Sequence, residues 1–291
     1  MKLLVLGARG QLGRDLLAAA QAAGHEALPR DHHELEIRDA AATEALIAAL
    51  RPDAVVSTAA FHHVETCERR PEEAFATNAF GVLNLARACQ RHGAALTHFS
   101  TDYVFDGQQR TPYTESDRPR PLNAYGMSKL AGEYLLAANC ERHFIVRTTG
   151  LYGLAGSAGK GGNFVETMLK KAAAGEPIRV VRDQVLTPTY TVDLAAKVME
   201  LLPSRRFGLY HATSEGQCSW FDFAAKIFSL SGLHPDLQPV DSSAFASPVR
   251  RPAFSVLAKN ALRAAGLVPM PPWEDALARY LQSRSAAHRN S

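Results

Sequence analysis

Cysteine is scarce and dispersed: Cys67, Cys89, Cys140 and Cys218 are the only four in 291 residues, and no two form a Cys-x-x-Cys pair. That spacing argues against a zinc site and a redox motif, and fits a reduced cytoplasmic setting. Long apolar runs are lacking too, so no membrane span is required. The opening Met-Lys-Leu-Leu-Val-Leu-Gly is too short for a signal-peptide core and leads directly into a glycine turn, so it reads as a first strand. Nor does one charge dominate. Thirty-two Lys plus Arg against 29 Asp plus Glu leave a net charge of +3, with basic doublets scattered at Arg69-Arg70, Lys170-Lys171, Arg205-Arg206 and Arg250-Arg251. Nothing in that pattern favours nucleic acid. The eleven histidines include His32-His33 and His62-His63, but sequence neighbours do not share a face of a helix or strand, so a histidine metal site is a poor expectation.

What is present is an ordinary globular composition, 46% hydrophobic and 21% charged, with no internal repeat. Apolar runs at residues 2 to 6, Ala54 to Ser57, Ala95 to Phe99 and Phe144 to Arg147 alternate with helical patterns at Ala40 to Leu50, Pro71 to Arg91 and Asn123 to Asn139. Such alternation predicts an α/β fold, a doubly wound parallel sheet of Rossmann type with helices on both faces. The rhythm loosens after residue 150. Glycines crowd Gly153 to Gly162 and prolines recur, which predicts a smaller, less regular portion over 151–291, interleaved with the last strands of the sheet. Its helices are expected near Asn163 to Ala174, Val192 to Leu202, Trp220 to Leu230 and Trp273 to Leu281, with a tail frayed from Ser283 onward. Ligands of such sheets lie beyond the carboxyl ends of the strands. Residues 1–150 therefore read as a dinucleotide-binding domain, and the second portion as the cover over that edge.

Glycines 7, 10 and 13 follow the first strand and open a helix bearing Leu16, Leu17 and Ala20 on one side. They allow a tight bend, close approach of a pyrophosphate to backbone N–H groups, and close packing of helix on strand. About 20 residues further on, NAD sites often place a carboxylate for the ribose 2′-hydroxyl. Here the second strand ends Ala27-Leu28-Pro29-Arg30, and Arg9 lies inside the glycine turn. Two cations there favour a 2′-phosphate, hence NADPH, while Asp31 next door keeps NADH as an alternative.

Tyr125 and Lys129 stand four apart, and Ser100-Thr101 lies upstream at the end of an apolar run. On a helix that spacing puts phenol and ammonium on one face. Bringing a phenol from pH ~10 to neutrality requires roughly 4 kcal/mol. One lysine charge at about 4 Å, in an effective dielectric near 20, supplies an amount on that order. Thr101 would then hold the carbonyl oxygen that receives the proton. Taken alone, the same spacing also occurs on solvated helix surfaces.

Gly-x-x-Gly-x-x-Gly, Ser100-Thr101-Asp102-Tyr103-Val104-Phe105-Asp106-Gly107, Tyr125-Gly126-Met127-Ser128-Lys129 and Arg147-Thr148 together resemble the extended short-chain dehydrogenase/reductase superfamily. Within it the chain is similar to the dTDP-4-dehydrorhamnose reductase family over nearly its whole length, with further matches at Asn163-Phe164, Asp183-Gln184, Asp193-Leu194-Ala195 and Arg251-Pro252. The resemblance implies reduction of a nucleotide-linked 4-keto-6-deoxy sugar by NADPH, or by NADH. Thr101, Tyr125 and Lys129 would be catalytic, with Tyr125 giving a proton to the C4 oxygen and Lys129 also binding the nicotinamide ribose. Gly7, Gly10, Gln11 and Leu12 match the pyrophosphate turn, Glu36 and Ile37 fall near the adenine, and Ala59, Ala60 and Phe61 follow the fourth strand along the cofactor cleft. Arg30 joins the cofactor set. Substrate contacts fall near Val64, Thr101, Asp102, Asn163, Gln184 and Arg251, with the Gly161-Gly162-Asn163 helix start offering donors to the diphosphate.

Two departures bear on the sugar. After Arg147-Thr148-Thr149 the family has a tryptophan where this chain has Gly150, which predicts a wider sugar pocket, and Val185-Leu186 stands where the family has a glycine. The family also contains a non-catalytic regulatory subunit of methionine adenosyltransferase, and the superfamily contains epimerases; both remain alternatives. Dehydratases carry Thr-Asp-Glu, and Tyr103 in place of the glutamate disfavours that chemistry. The partners expected are a nucleotide sugar and, for assembly, a homodimer, with no metal ligand set in view.

Overall fold

Strand β1 (Lys2–Leu6) shows how the sheet is built: from Leu3 on, every side chain is buried. Leu3 and Val5 face one core and Leu4 and Leu6 another, as the two-residue period of a strand covered on both faces demands. In the computed structural model, which describes residues 1–155 and 162–289, β1 lies inside a six-stranded sheet. Its other members are β2 (Glu26–Arg30), β3 (Ala54–Ser57), β4 (Ala95–Thr101), β5 (His143–Thr148) and a strand from the second portion, Gly208–His211. The order, from that late strand inward, is Gly208–His211, β5, β4, β3, β1, β2, and every pairing is parallel. Strand order reverses between β1 and β3, which opens a crevice at their carboxyl ends.

Helices α1 (Gln11–Ala22), α2 (Ala40–Leu50), α3 (Val64–Arg69), α4 (Pro71–Phe75), α5 (Val82–His92) and α6 (Ala124–Asn139) cover the sheet. The continuous helix expected over Pro71 to Arg91 is broken: Ala76–Gly81 between α4 and α5 is a π-helical turn. Hydrophobic period alone does not reveal the extra residue per turn, and such turns recur at functional sites. Helix α6 starts where Asn123 accepts from Gly126 N at 2.9 Å, and α2 where Asp39 accepts from Ala42 N at 2.9 Å.

Beyond residue 150 come β6 (Leu151–Tyr152), α7 (Phe164–Ala173), β7 (Ile178–Val181), β8 (Val185–Leu186), β9 (Thr189–Tyr190) and α8 (Thr191–Leu201). They are followed by β10 (Gly208–His211, the late strand of the main sheet), β11 (Cys218–Ser219), α9 (Trp220–Ser231), β12 (Leu237–Val240), α10 (Asn260–Ala264) and α11 (Trp273–Arg289). Three two-stranded pairings, β6 with β9, β7 with β12 and β8 with β11, surround a third core of Tyr152, Tyr190, Phe223, Trp273 and Tyr280. Helix α8 belongs instead to the first core, where Leu194 and Val198 meet Leu12 and Leu16 of α1. Residues from both sides of position 150 thus share one sheet and one core.

Two sequence expectations change here. The tail does not fray from Ser283: α11 continues to Arg289, held where the Arg284 Nε meets Glu166 Oε1 at 2.6 Å and Ser285 Oγ donates to Leu281 O at 3.0 Å. Ala59, Ala60 and Phe61 follow β3, which is third along the chain, though fourth across the sheet counted from β10. Gly161 lies outside the described residues. Among the described residues no helix is long and apolar enough to cross a membrane.

Candidate active site

The crevice is a cavity of about 680 Å³ whose walls come from strand ends and helix starts. Gly10, Gln11 and Leu12 line it from the glycine turn, Thr58 and Ala60 from the end of β3, and Thr101 and Asp102 from the end of β4. Tyr125 and Lys129 enter from α6, while Asn163, Gln184 and Trp220 close it from the second portion. Val64 also lines it, as do His62 and His63, which the sequence singles out only as poor metal ligands.

Two features of the cavity suit a dinucleotide. Helix α1 begins without a capping side chain or an acidic residue in its first turn. Its first intrahelical bond is Arg14 N to Gly10 O at 3.0 Å, so the N–H groups of Gln11, Leu12 and Gly13 point from a positive helix end. A Cβ on Gly10 would meet only Gly7 O, at 3.3 Å, so this glycine keeps the cavity floor bare instead of avoiding a protein neighbour. Gly7 and Gly13 do the opposite: Cβ atoms there would stand 2.3 Å from Thr58 Oγ1 and 2.2 Å from Gly7 O. They let β1, β3 and α1 close up around the turn.

Tyr125, Lys129 and Glu133 form a stripe at intervals of four along α6. Lys129 is buried, its Nζ 3.2 Å from His98 Nε2 of β4. Burial pushes the Lys129 ammonium down to about 7, with Glu133 pulling it back up, and burial followed by Lys129 holds His98 well below its ordinary value. The Tyr125 phenol moves the other way from the sequence expectation. Burial first and Asp102 second raise it above its ordinary value, and the Thr101 hydroxyl opposes them. The protein alone therefore does not bring this phenol to neutrality.

Thr101 Oγ1 donates to Asp102 Oδ1 at 3.0 Å and accepts from Tyr103 N at 3.2 Å. Burial raises the Asp102 carboxyl to about 6 against the pull of the Ser255, Thr149 and Thr101 hydroxyls. Beneath this group lies an ion pair that sequence reading missed. Glu133 and Arg147, each with a side chain 3% exposed, meet at 2.6 Å, with a second contact from Arg147 Nε at 2.9 Å and the Ser100 hydroxyl on the same carboxylate. Continuing the spacing of Tyr125 and Lys129 by one more interval points to Glu133.

Asn78, in the π-helical turn, is also absent from the sequence reading. Its Oδ1 accepts from Phe61 N at 2.8 Å while its Nδ2 donates to Phe61 O at 2.9 Å and to Ser128 Oγ at 3.0 Å. One buried amide thus ties the loop after β3 to α6. No local sequence signal marks this, because the three partners meet only in the tertiary fold.

Other expected residues lie outside the cavity wall. Gly7, Arg30, Glu36, Ile37, Ala59 and Phe61 are not among its lining residues. Ile37 is buried in the second core, and Glu36 pairs with Arg38 at 2.8 Å. Arg30 donates from Nη1 to Pro29 O at 2.6 Å. Arg251 lines a second cavity of about 860 Å³ that shares Tyr103, Phe164, Gln184 and Trp220 with the first. It is ion-paired with Glu65 and donates to Ser247 Oγ at 2.9 Å. The pocket is not simply widened at Gly150, because Leu186 Cδ1 stands 2.9 Å from where a Cβ on residue 150 would be, so the two departures occupy one spot.

A family model described as RmlD substrate binding domain matches residues 1–286. The spore coat polysaccharide biosynthesis protein SpsK of Bacillus subtilis is 41% identical over 98% of this chain and 99% of its own. A dTDP-4-keto-6-deoxy-D-glucose reductase of Streptomyces niveus is 38% identical over 94% of each chain. The crystal structure of dTDP-4-dehydrorhamnose reductase from Bacillus anthracis in complex with NADP superposes with a TM-score of 0.92 at 37% identity, covering 97% of this chain and 100% of that one. A parallel sheet with an uncapped glycine turn, a Tyr125–Lys129 stripe facing it, and agreement along almost the full length lead to one assignment: the chain belongs to the RmlD substrate-binding-domain family.

Proposed function

We propose that this chain is an NAD(P)H-dependent reductase of a dTDP-linked 4-keto-6-deoxy sugar, working in the cytoplasm. The observation that carries the reading is convergence: Thr101, Tyr125 and Lys129 line the same cavity as the bare start of α1. The relatives' names add the substrate class, since the Streptomyces niveus protein is named a dTDP-4-keto-6-deoxy-D-glucose reductase and the Bacillus anthracis one, held with NADP, a dTDP-4-dehydrorhamnose reductase.

Gln11, Leu12 and Gly13 would hold the cofactor pyrophosphate through their N–H groups, and Lys129 a nicotinamide ribose hydroxyl. A reduced nicotinamide bound there supplies hydride to the carbonyl carbon. Everything else falls to the chain. Thr101 and Tyr125 receive the ketone oxygen, and Tyr125 donates the proton that completes the alcohol. A raised phenol is a secure proton carrier but a reluctant donor, so catalysis needs the phenolate stabilised as it forms. Charged Lys129 on the same helix face provides that stabilisation, and the Asp102 carboxyl opposes it when ionised. The second cavity supplies Arg251 and Arg179 for a nucleotide diphosphate, with Trp220 between the two spaces. Asn163, whose side chain caps α7 by accepting from Glu166 N at 3.0 Å, fixes the helix that borders the sugar.

The test is direct. Purified protein mixed with NADPH and a dTDP-4-keto-6-deoxy sugar should oxidise the cofactor in proportion to alcohol formed. Absence of oxidation, with the cofactor shown to bind, would count against catalysis.

A further inference from the structure

His98 stands behind the catalytic layer and has no part in the reaction described above. It lies in the middle of β4, three residues before Thr101, and is 1% exposed. Its Nε2 is 3.2 Å from Lys129 Nζ. An ammonium has three N–H donors and no lone pair, so in that contact the imidazole accepts. The proton of the neutral ring is then on Nδ1. That nitrogen has no hydrogen-bond partner among the described residues, and neither has the hydroxyl of Ser57, the register partner of His98 on β3 and so a neighbour on the same face of the sheet. With no carboxylate on Nδ1 and no water-exposed edge, nothing supports a second proton on this ring.

The surroundings are shaped for the contact. Gly132 lies one turn along α6 from Lys129, and a Cβ there would stand 2.2 Å from Asn78 O and 3.6 Å from His98 Nε2. The bare glycine lets α6 lie against the π-helical turn, which brings lysine and imidazole within reach. Glu133, the carboxylate nearest in sequence, is engaged elsewhere: Arg147 Nε and Nη2 reach its two oxygens at 2.9 and 2.6 Å, and the Ser100 hydroxyl joins them. The other titratable groups nearby are Tyr125 on the same helix, Cys67 of α3 and Asp102 just after β4. The kind of acceptor matters. A carboxylate on Nζ would offset the ammonium charge, whereas a neutral imidazole solvates it and leaves that charge to act on a forming phenolate. Two of the three N–H donors also remain for the cavity that Lys129 lines.

We propose that His98 is a positioning residue of the reduction: its Nε2 lone pair anchors the Lys129 ammonium by one N–H, so that the other two face the cofactor and the charge stays available to Tyr125. This rests on the reductase reading of the cavity. It adds to that reading a side chain that is not part of the cavity wall and acts only through the lysine.

The experiment measures NADPH oxidation with a dTDP-4-keto-6-deoxy sugar at pH 7 for wild type, His98→Leu and His98→Gln, beside NADPH binding and thermal unfolding. His98→Leu removes the acceptor and keeps the bulk. Its kcat should fall about tenfold or more, with KM for the sugar nearly unchanged. His98→Gln places an amide oxygen close to the position of Nε2 and should restore most of the loss. Ring-nitrogen NMR of the ligand-free wild type at pH 6 asks the same question without a variant: the assigned His98 ring should be neutral, with its proton on Nδ1. The anchor is overturned, and the reductase reading stands, if folded His98→Leu keeps the wild-type kcat or if His98→Gln is as slow as His98→Leu. A proton on Nε2, or an imidazolium at pH 6, overturns it equally. If wild type binds NADPH but reduces no dTDP-4-keto-6-deoxy sugar, the reductase reading fails and takes this inference with it.

Discussion

Lys129 Nζ lies 3.2 Å from His98 Nε2, with both side chains buried and Glu133 one helical turn beyond the lysine. Two basic groups at that distance cannot both carry charge in a dry site at modest cost. The imidazole is the one kept neutral, and the lysine is left on the edge of protonation, near 7.

A stability profile follows from that position. Lys129 falls from an ordinary value of 10.5 to about 7 in the folded chain. Between those limits the unfolded chain binds a proton that the native chain does not, so stability rises with pH across that window. Below it both states are protonated and the burial cost is felt in full. Lys129→Met should therefore gain most over wild type at pH 7 and below, by a few kcal/mol, with the gap narrowing toward pH 10. Thermal unfolding of the ligand-free proteins across this range measures it. A gap independent of pH would mean that the ammonium is not the buried charge.

Tyr125→Phe removes the donor but keeps the ring, which packs edge-on to Tyr103 at 5.9 Å between centroids. Turnover should drop by ~10²-fold or more with cofactor affinity intact. Parallel measurement of NADPH oxidation and NADPH binding separates the two effects. Equal turnover in the variant and wild type would remove Tyr125 from the chemistry.

Asp102 titrates at about 6 and, when ionised, raises the Tyr125 phenol. Losing that charge makes the phenol a readier donor, so kcat/KM for reduction should decline as pH rises through about 6. Asp102→Asn should flatten this limb. A limb that persists in the variant belongs to another group.

The Glu133–Arg147 pair is the support under the Tyr125–Lys129 stripe. Arg147→Met alone strands a buried carboxylate and should cost about 3–5 kcal/mol in urea unfolding. Glu133→Gln combined with Arg147→Met should cost less than the two single changes added together. Strict additivity would show that the ion contact contributes nothing.

Gly150 has φ +58, and a Cβ there would stand 2.9 Å from Leu186 Cδ1 and 3.1 Å from Pro188 Cα. Gly150→Ala should destabilise the fold by roughly 1–3 kcal/mol. Adding Leu186→Ala should return part of that loss, because it removes the side-chain clash and leaves the backbone strain. Melting temperatures of Gly150→Ala, Leu186→Ala and the double variant decide this, and no recovery would leave backbone strain as the whole cost.

Sequence legibility followed the range of the forces involved. Strands β1 and β3 and helix α2 were readable to the residue, because burial on both faces or an Asp39 cap leaves a local signature. Helix α6 likewise declares itself through Asn123. The π-helical turn at Ala76–Gly81 did not, since its composition remains that of an α-helix. Strand β10, Gly-Leu-Tyr-His, is too short and mixed to announce itself and exists because β5 offers it an edge. In the site, the spacing of Tyr125 and Lys129 located the stripe, while the sign of the phenol's displacement depended on burial, which has no local code. Arg30 was suggested by its place at a strand end, yet the side chain folds onto its own neighbour.

The place of β10 at the margin of the main sheet sets a timetable for biosynthesis. Until Leu201 has left the ribosome α1 lacks the cover of α8, and until His211 follows the nascent polypeptide must carry β5 as a bare hydrogen-bonding margin. Translation of the last eighty residues thus begins with a sticky, unfinished sheet, and a chaperone that shields β5 would act in that interval.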